Sequence, residues 1–219
     1  MVPAPLETAA VLLGVAAPEV GELASALGAS DQLTCPEEPQ DHGWTSAYGQ
    51  VLDGWRSQIE SLPETAALVV CTWTAAVAAV PLADIEPDAW RSRLEWPTAL
   101  WFTTVVAAAG RCASGGSLVV VVERPATIDA LGRAPQTAVA DGMVNLVRSL
   151  AAVEGARGVR VNAVATQLQT PAVGLRGAAP ALPSFPGTVA GEVAGAVRLL
   201  LSPDAIGVTG TTVAAGCGR

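Results

Sequence analysis

The chain has 219 residues, a formal charge of −8, and 51% hydrophobic but only 4% aromatic residues. That length suits a single domain with a large core. The acidity excludes a nucleic-acid surface, which needs a basic stripe, because the longest basic cluster here is Arg91-Ser-Arg93. No apolar run reaches about 18 residues free of Gly, Pro or charge, which excludes a membrane span. The start, Met-Val-Pro-Ala-Pro-Leu-Glu, lacks the basic region of a secretion signal, so the expected compartment is the cytoplasm.

In chain order, Thr8 to Gly14 is an apolar run ending in glycine, which predicts a buried first strand. Pro18 then opens a helix over Glu19 to Leu27, at a position where its missing N–H costs nothing. Asp31 to Cys35 is a candidate short strand, and Pro36 to Gly43 a polar loop. Ser46 to Leu62 carries Val51, Leu52, Trp55, Ile59 and Leu62 at helical spacing and stops at Pro63. Ala66 to Thr72 is a second buried strand. A long helix follows from Glu86 to about Gly110, and Pro97 inside it predicts a kink. Gly116 to Glu123 is the clearest strand, Pro135 starts a helix to about Glu154, and Gly158 to Ala165 is another strand. The Pro- and Gly-rich stretch 170–188 predicts an irregular excursion. A helix from Thr188 to Leu201 and a strand from Val208 to Ala215 complete the chain.

Strands that are apolar on both faces and alternate with helices imply a parallel sheet covered on both sides. The predicted fold is α/β, a doubly wound Rossmann-type sheet in one domain over residues 1–219.

Few residues offer chemistry. The cysteines at 35, 71, 112 and 217 show no metal-type spacing and the chain has one histidine, His42, so no metal site is expected and the thiols read as free and buried. His42 lies in the polar loop and reads as solvated. Serine and threonine have no base nearby in sequence, which speaks against a catalytic triad. All 12 basic residues are arginine; there is no lysine, and Tyr48 is the single tyrosine.

From about residue 66 onward the sequence resembles the short-chain dehydrogenase/reductase family, and within it the 3-oxoacyl-carrier-protein reductase branch. Asp88-Ala-Trp90 with Leu94 and Phe102 is similar to the family helix bearing a tryptophan near its start. Gly116-Ser-Leu-Val resembles the serine-bearing strand, and Leu146-Val-Arg-Ser-Leu-Ala151 the helix after the catalytic tyrosine. Gly158-Val-Arg-Val-Asn-Ala-Val resembles the next strand, Thr170 stands where a cofactor-contacting threonine usually does, and Val208-Thr-Gly210 with Gly216 resembles the last strand.

The resemblance implies a Tyr-x-x-x-Lys pair with an asparagine and a serine. Carried over one residue at a time, the asparagine falls on Pro97, the serine on Glu123, the tyrosine on Gln136 and the lysine on Ala140. None has equivalent chemistry: glutamine has no phenolic proton, and alanine cannot perturb a neighbour. The family's glycine turn corresponds to Leu13-Gly14-Val-Ala-Ala-Pro18-Glu19-Val-Gly21. There Pro18 removes an amide donor and Glu19 puts negative charge where phosphates would lie, at a helix start that favours its carboxylate without any ligand. The Asn-Asn-Ala-Gly turn becomes Cys71-Thr-Trp73-Thr, and the Pro-Gly after the sixth family strand becomes Thr166-Gln167. The N-terminal half is shorter than the family's by nearly one strand–helix unit. No bound cofactor is expected, neither NADH nor NADPH.

The expected function is therefore a catalytically inactive short-chain-dehydrogenase-like subunit. It would pair with an active ketoreductase-type homologue in fatty-acid or polyketide biosynthesis, or with itself, through its two long helices. Trp90, Leu100, Trp101 and Val147 are the interface candidates. The alternative is a non-redox biosynthetic enzyme, of cyclase, dehydratase or aldolase type, with Glu123 as acid or base in the old cleft. A third reading is a small-molecule-binding or homodimeric regulatory protein. In the structural reading of Glu123, it pairs with Arg124 or a helix start. Phe185 is a candidate cover for the cleft.

Overall fold

The computed structural model describes residues 10–40, 47–73, 80–124, 132–166 and 188–215. His42, Gln167, Thr170, Phe185, Gly216 and Cys217, and nearly all of the stretch 170–188, lie outside them.

Six strands form one parallel sheet in the order β2-β1-β3-β4-β5-β6. They are β1 Val11–Gly14, β2 Asp31–Thr34, β3 Thr65–Cys71, β4 Cys112–Glu123, β5 Arg160–Thr166 and β6 Thr212–Ala214. The central strands are buried on both faces because every side chain of Leu118 to Val122 is apolar, which suits a sheet covered on both sides. Among the described strands only β2 lies outward of β1, consistent with the short N-terminal half. β6 is shorter than the sequence suggests, since Val208 to Thr211 approach it as irregular chain.

The helices are α1 Pro18–Leu27, α2 Ala47–Glu60, α3 Pro87–Trp90, α4 Trp96–Arg111, α5 Ala134–Glu154 and α6 Ala194–Leu201. α2, α4 and α5 cover one face, over a core that includes Trp55, Trp96, Trp101 and Val147. α1 and α6 cover the other, over Leu12, Val20, Val119, Val121 and Val197.

Where Pro97 predicts a kink, the chain instead makes a π-helical turn, Arg91–Glu95, joining α3 to α4. The Trp96 N–H reaches back five residues to the Arg91 carbonyl. Proline has no N–H for the usual bond and its ring crowds the carbonyl four residues back; a wider turn relieves both.

Two arginines fasten helix ends. Arg160, buried in β5, donates from Nη1 to the carbonyls of Leu200 at 2.7 Å and Ala205 at 3.1 Å, and from Nη2 to those of Ser202 at 3.2 Å and Leu201 at 3.5 Å. These include the carbonyls that the end of α6 leaves without helical partners. Arg157 joins the Ala109 carbonyl at the end of α4, the Cys112 carbonyl and the Glu154 carboxylate.

The interface candidates need correction. Leu100, Trp101 and Val147 are buried inside this single chain and face its sheet, so they are core residues. Trp90 is partly buried at the end of α3. The outward stripe of α4 is carried by Phe102 and Val106, 54% and 40% exposed and one turn apart.

Cys35, Cys71 and Cys112 are free and buried, as their spacing suggested. Burial pushes the Cys35 thiol up to about 12 and that of Cys112 to about 11. The thiolate is the reactive form. In a Cys217→Ser background, Ellman's reagent at pH 8 should therefore label the folded chain only as fast as it unfolds. Rapid labelling of any thiol would contradict this burial.

Candidate functional site

The sheet reverses its winding between β1 and β3, and open α/β sheets bind ligands outside the carboxyl ends of strands at such a point. Here β3, β4 and β5 end in matched register. Cys71 lies opposite Val121, and Glu123 opposite Thr166. Trp73 and Glu123 each lie two residues past the first pair. Strand alternation thus puts Trp73, Glu123 and Thr166 in a row on the α1/α6 face, beyond Cys71, Val121 and Val164 of the same core.

Glu123 is the last residue of β4 and its side chain is only 18% exposed. Its ion partner is Arg133, with Nη1 at 3.6 Å, just ahead of α5. The expectation of a pair with Arg124 is corrected: Arg124 bonds Asp141 at 3.1 Å. Alternation is the reason, since neighbours along a strand point to opposite faces. Burial raises the Glu123 carboxyl to about 7; Arg133 opposes the shift, and Glu19, from the first turn of α1, adds to it. At neutral pH this carboxyl is therefore a mixture of acid and carboxylate.

Glu123 also borders a small cavity of about 20 Å³, lined by Thr72, Arg93, Gln136, Val139 and Ala140 as well. By that measure it has room for at least one water. Gln136 and Ala140 share one face of α5, one turn apart, so the structure brings together three of the four positions where the resemblance sought a catalytic group. The fourth, Pro97, is buried at the start of α4 and does not line the cavity. Arg93 does, delivered by the π-helical turn, and sequence reasoning missed it. Proline in a helix was the available signal, but it did not say which side chain the wider turn would bring round. Tyr48 is placed elsewhere, on α2, its hydroxyl bonded to Glu38 and its ring tilted on Trp96 at 5.1 Å.

A dinucleotide does not fit these residues in the usual way. α1 begins with Pro18 and has no side-chain cap, and Glu19 occupies its first turn. A Cβ on Gly14 would lie 2.9 Å from Val20 and 3.2 Å from Cys71, so this glycine serves close packing of β1 on α1 and β3. Glu19 puts its carboxylate at the helix start, where a pyrophosphate would otherwise lie. Among the described residues there is no cluster able to hold a metal ion and no helix long and apolar enough to cross a membrane.

Comparison with known proteins agrees with the fold. Residues 60–219 match the sequence model of the enoyl-(acyl carrier protein) reductase family. No curated protein sequence matches the chain. Among solved structures, it is similar to a blue fluorescent protein from a metagenomic library in complex with NADPH, with 20% identity over 95% of this chain and 96% of that one, at a TM-score of 0.65. A short-chain dehydrogenase/reductase from Serratia marcescens is 16% identical over 96% and 97%, at 0.63. A candidate betaketoacyl-ACP reductase is 22% identical over 98% of each chain, at 0.62. With its parallel sheet, its site at the strand ends and a family match over most of its length, this chain belongs to the short-chain dehydrogenase/reductase family.

Proposed function

We propose that this chain is a catalytically inactive short-chain-dehydrogenase-like subunit that pairs with an active ketoreductase-type homologue in fatty-acid or polyketide biosynthesis. The observation that carries the reading is the cavity at Glu123. Gln136 and Ala140 stand there at the i, i+4 spacing of the family's acid and its lysine, without phenol or amine. Support for pairing comes from α4, whose Phe102 and Val106 give water an apolar stripe on the helix that the resemblance assigns to the family's subunit contact.

The test is co-expression with an intact reductase of the same organism. Wild type should co-purify with it and add no NADPH oxidation of its own. Phe102→Glu and Val106→Glu should abolish the pairing yet change the chain's own stability by only about 0.5 kcal/mol, as exposed substitutions do. If both variants keep the assembled mass in light scattering, the partner surface is not on α4.

A second reading has its own observation. A buried carboxyl raised to about 7 at the strand ends has the pKa a general acid or base needs near neutral pH. In a non-redox biosynthetic enzyme Glu123 would move the proton, and Glu123→Gln would abolish product formation without loss of folding.

A further inference from the structure

The first turn of α5 lacks the usual supports of a helix start. Its N-cap is Arg133, no side chain caps the free N–H groups, and no acidic residue occupies the turn. A cation at that end opposes the helix dipole. The counter-charge comes from β4 instead. The Glu123 carboxylate stands 3.6 Å from Arg133, and the two side chains are only 18% and 13% exposed. The Arg133 carbonyl accepts from the Thr137 N–H at 3.0 Å and from the Thr137 hydroxyl at 3.1 Å, so moving Arg133 disturbs the first helical bond. Gly132, with a φ of 72°, precedes it as a pivot, and its carbonyl accepts from the Val80 N–H at 3.0 Å.

We propose that Glu123 is a proton-operated latch on α5: its carboxylate seats Arg133 at the helix start, and protonation releases Arg133 and loosens the first turn. That turn carries Gln136, part of the cavity wall. Reciprocity gives the sign. Arg133 favours the ionised form of Glu123, so loss of that charge weakens the hold on Arg133 by the same amount. Burial raises the carboxyl to about 7, which places the release near neutral pH, on the acid side. Besides Arg133, the charged groups facing Glu123 are Glu19 from α1 and Arg93 from the π-helical turn. Both guanidinium groups stay charged across this range. Arg124 and Asp141 hold each other at 3.1 Å on the other face of β4. The latch is a property of the isolated chain and goes beyond the subunit reading.

The experiment is nuclear magnetic resonance of the isotope-labelled full chain between pH 5.5 and pH 8.5. It follows the Glu123 carboxyl carbon, the Arg133 Nε–H signal and hydrogen exchange at the Thr137 amide. After correction for the intrinsic pH dependence of exchange, Thr137 should exchange about tenfold faster at pH 6 than at pH 8, the usual worth of one charge-assisted bond. Its midpoint should coincide with those of Glu123 and Arg133. Glu123→Gln should make Thr137 exchange independent of pH, at the fast wild-type rate. Arg133→Met should also remove the pH dependence, and should move the Glu123 midpoint upward. A Glu123 carboxyl that does not titrate in this range would overturn the proposal. So would a flat Thr137 rate beside a titrating Glu123, which makes the pair a static contact. A pH dependence that survives in folded Glu123→Gln would assign the effect to another group and overturn it as well.

Discussion

Arg160→Leu should destabilise the protein more than any surface change, by about 3–5 kcal/mol. The guanidinium lies in β5 and bonds four carbonyls at and beyond the end of α6, at 2.7 to 3.5 Å. Leucine fills part of the volume but leaves those carbonyls buried without donors, and unmade buried bonds cost more than made ones gain. The melting temperature should fall by roughly 10 °C, at 2–4 °C per kcal/mol for a domain of this size. Arg160→Lys should recover little of this, because one ammonium cannot span four acceptors as a planar fork does. A fall of under about 1 kcal/mol in denaturant unfolding would show that water replaces the clamp.

Glu123→Gln should reverse the usual sign of a substitution, stabilising the protein at alkaline pH. The folded carboxyl titrates at about 7 against an ordinary value of 4.5, so between those values the folded chain holds more protons than the unfolded one. Stability therefore falls as pH rises through that window, and the whole penalty is present above it. Glutamine is neutral throughout and lacks the penalty. Relative to wild type, the variant should gain about 2–3 kcal/mol between pH 5 and pH 8, slightly under the full shift because the side chain is not wholly buried. Unfolding curves at the two pH values measure it directly. A constant difference would mean that Arg133 holds the carboxylate ionised.

The parallel sheet was legible because Ala66 to Thr72 and Gly116 to Glu123 are apolar runs with no alternation, bounded by helical patterns. Side-chain direction was not. Leu100, Trp101 and Val147 are large and apolar on the helices the resemblance assigns to the interface, yet the same helical spacing that made them conspicuous turns them to the core. Phe102 and Val106 repeat at that spacing on the opposite side, and a helical projection would have separated the two stripes. Arg124 looked like the partner of Glu123 through adjacency alone; the period of two sends it away, while Arg133, ten residues on, returns with the start of α5. Arg160 was a missed signal of another kind. A charge between Val159 and Val161 in a buried strand needs a cluster of acceptors, and none is visible until α6 folds back over the sheet.

The sheet order bears on how this chain reaches its fold. β3, β4, β5 and β6 lie side by side in the order in which they occur, so each pairs with a strand next to it in the chain. β1 instead inserts between β2 and β3, and so waits for a strand that begins at Thr65. The twelve residues of β4 bond strands on both sides, so pairing around β4 gathers the largest buried part of the sheet. The rate-limiting ensemble should therefore be polarised, with β3 to β5 paired under α4 and α5, and β1, α1 and β2 docking late. The cavity at Glu123, lined by Thr72, Arg93, Gln136, Val139 and Ala140, therefore belongs wholly to the part that forms first.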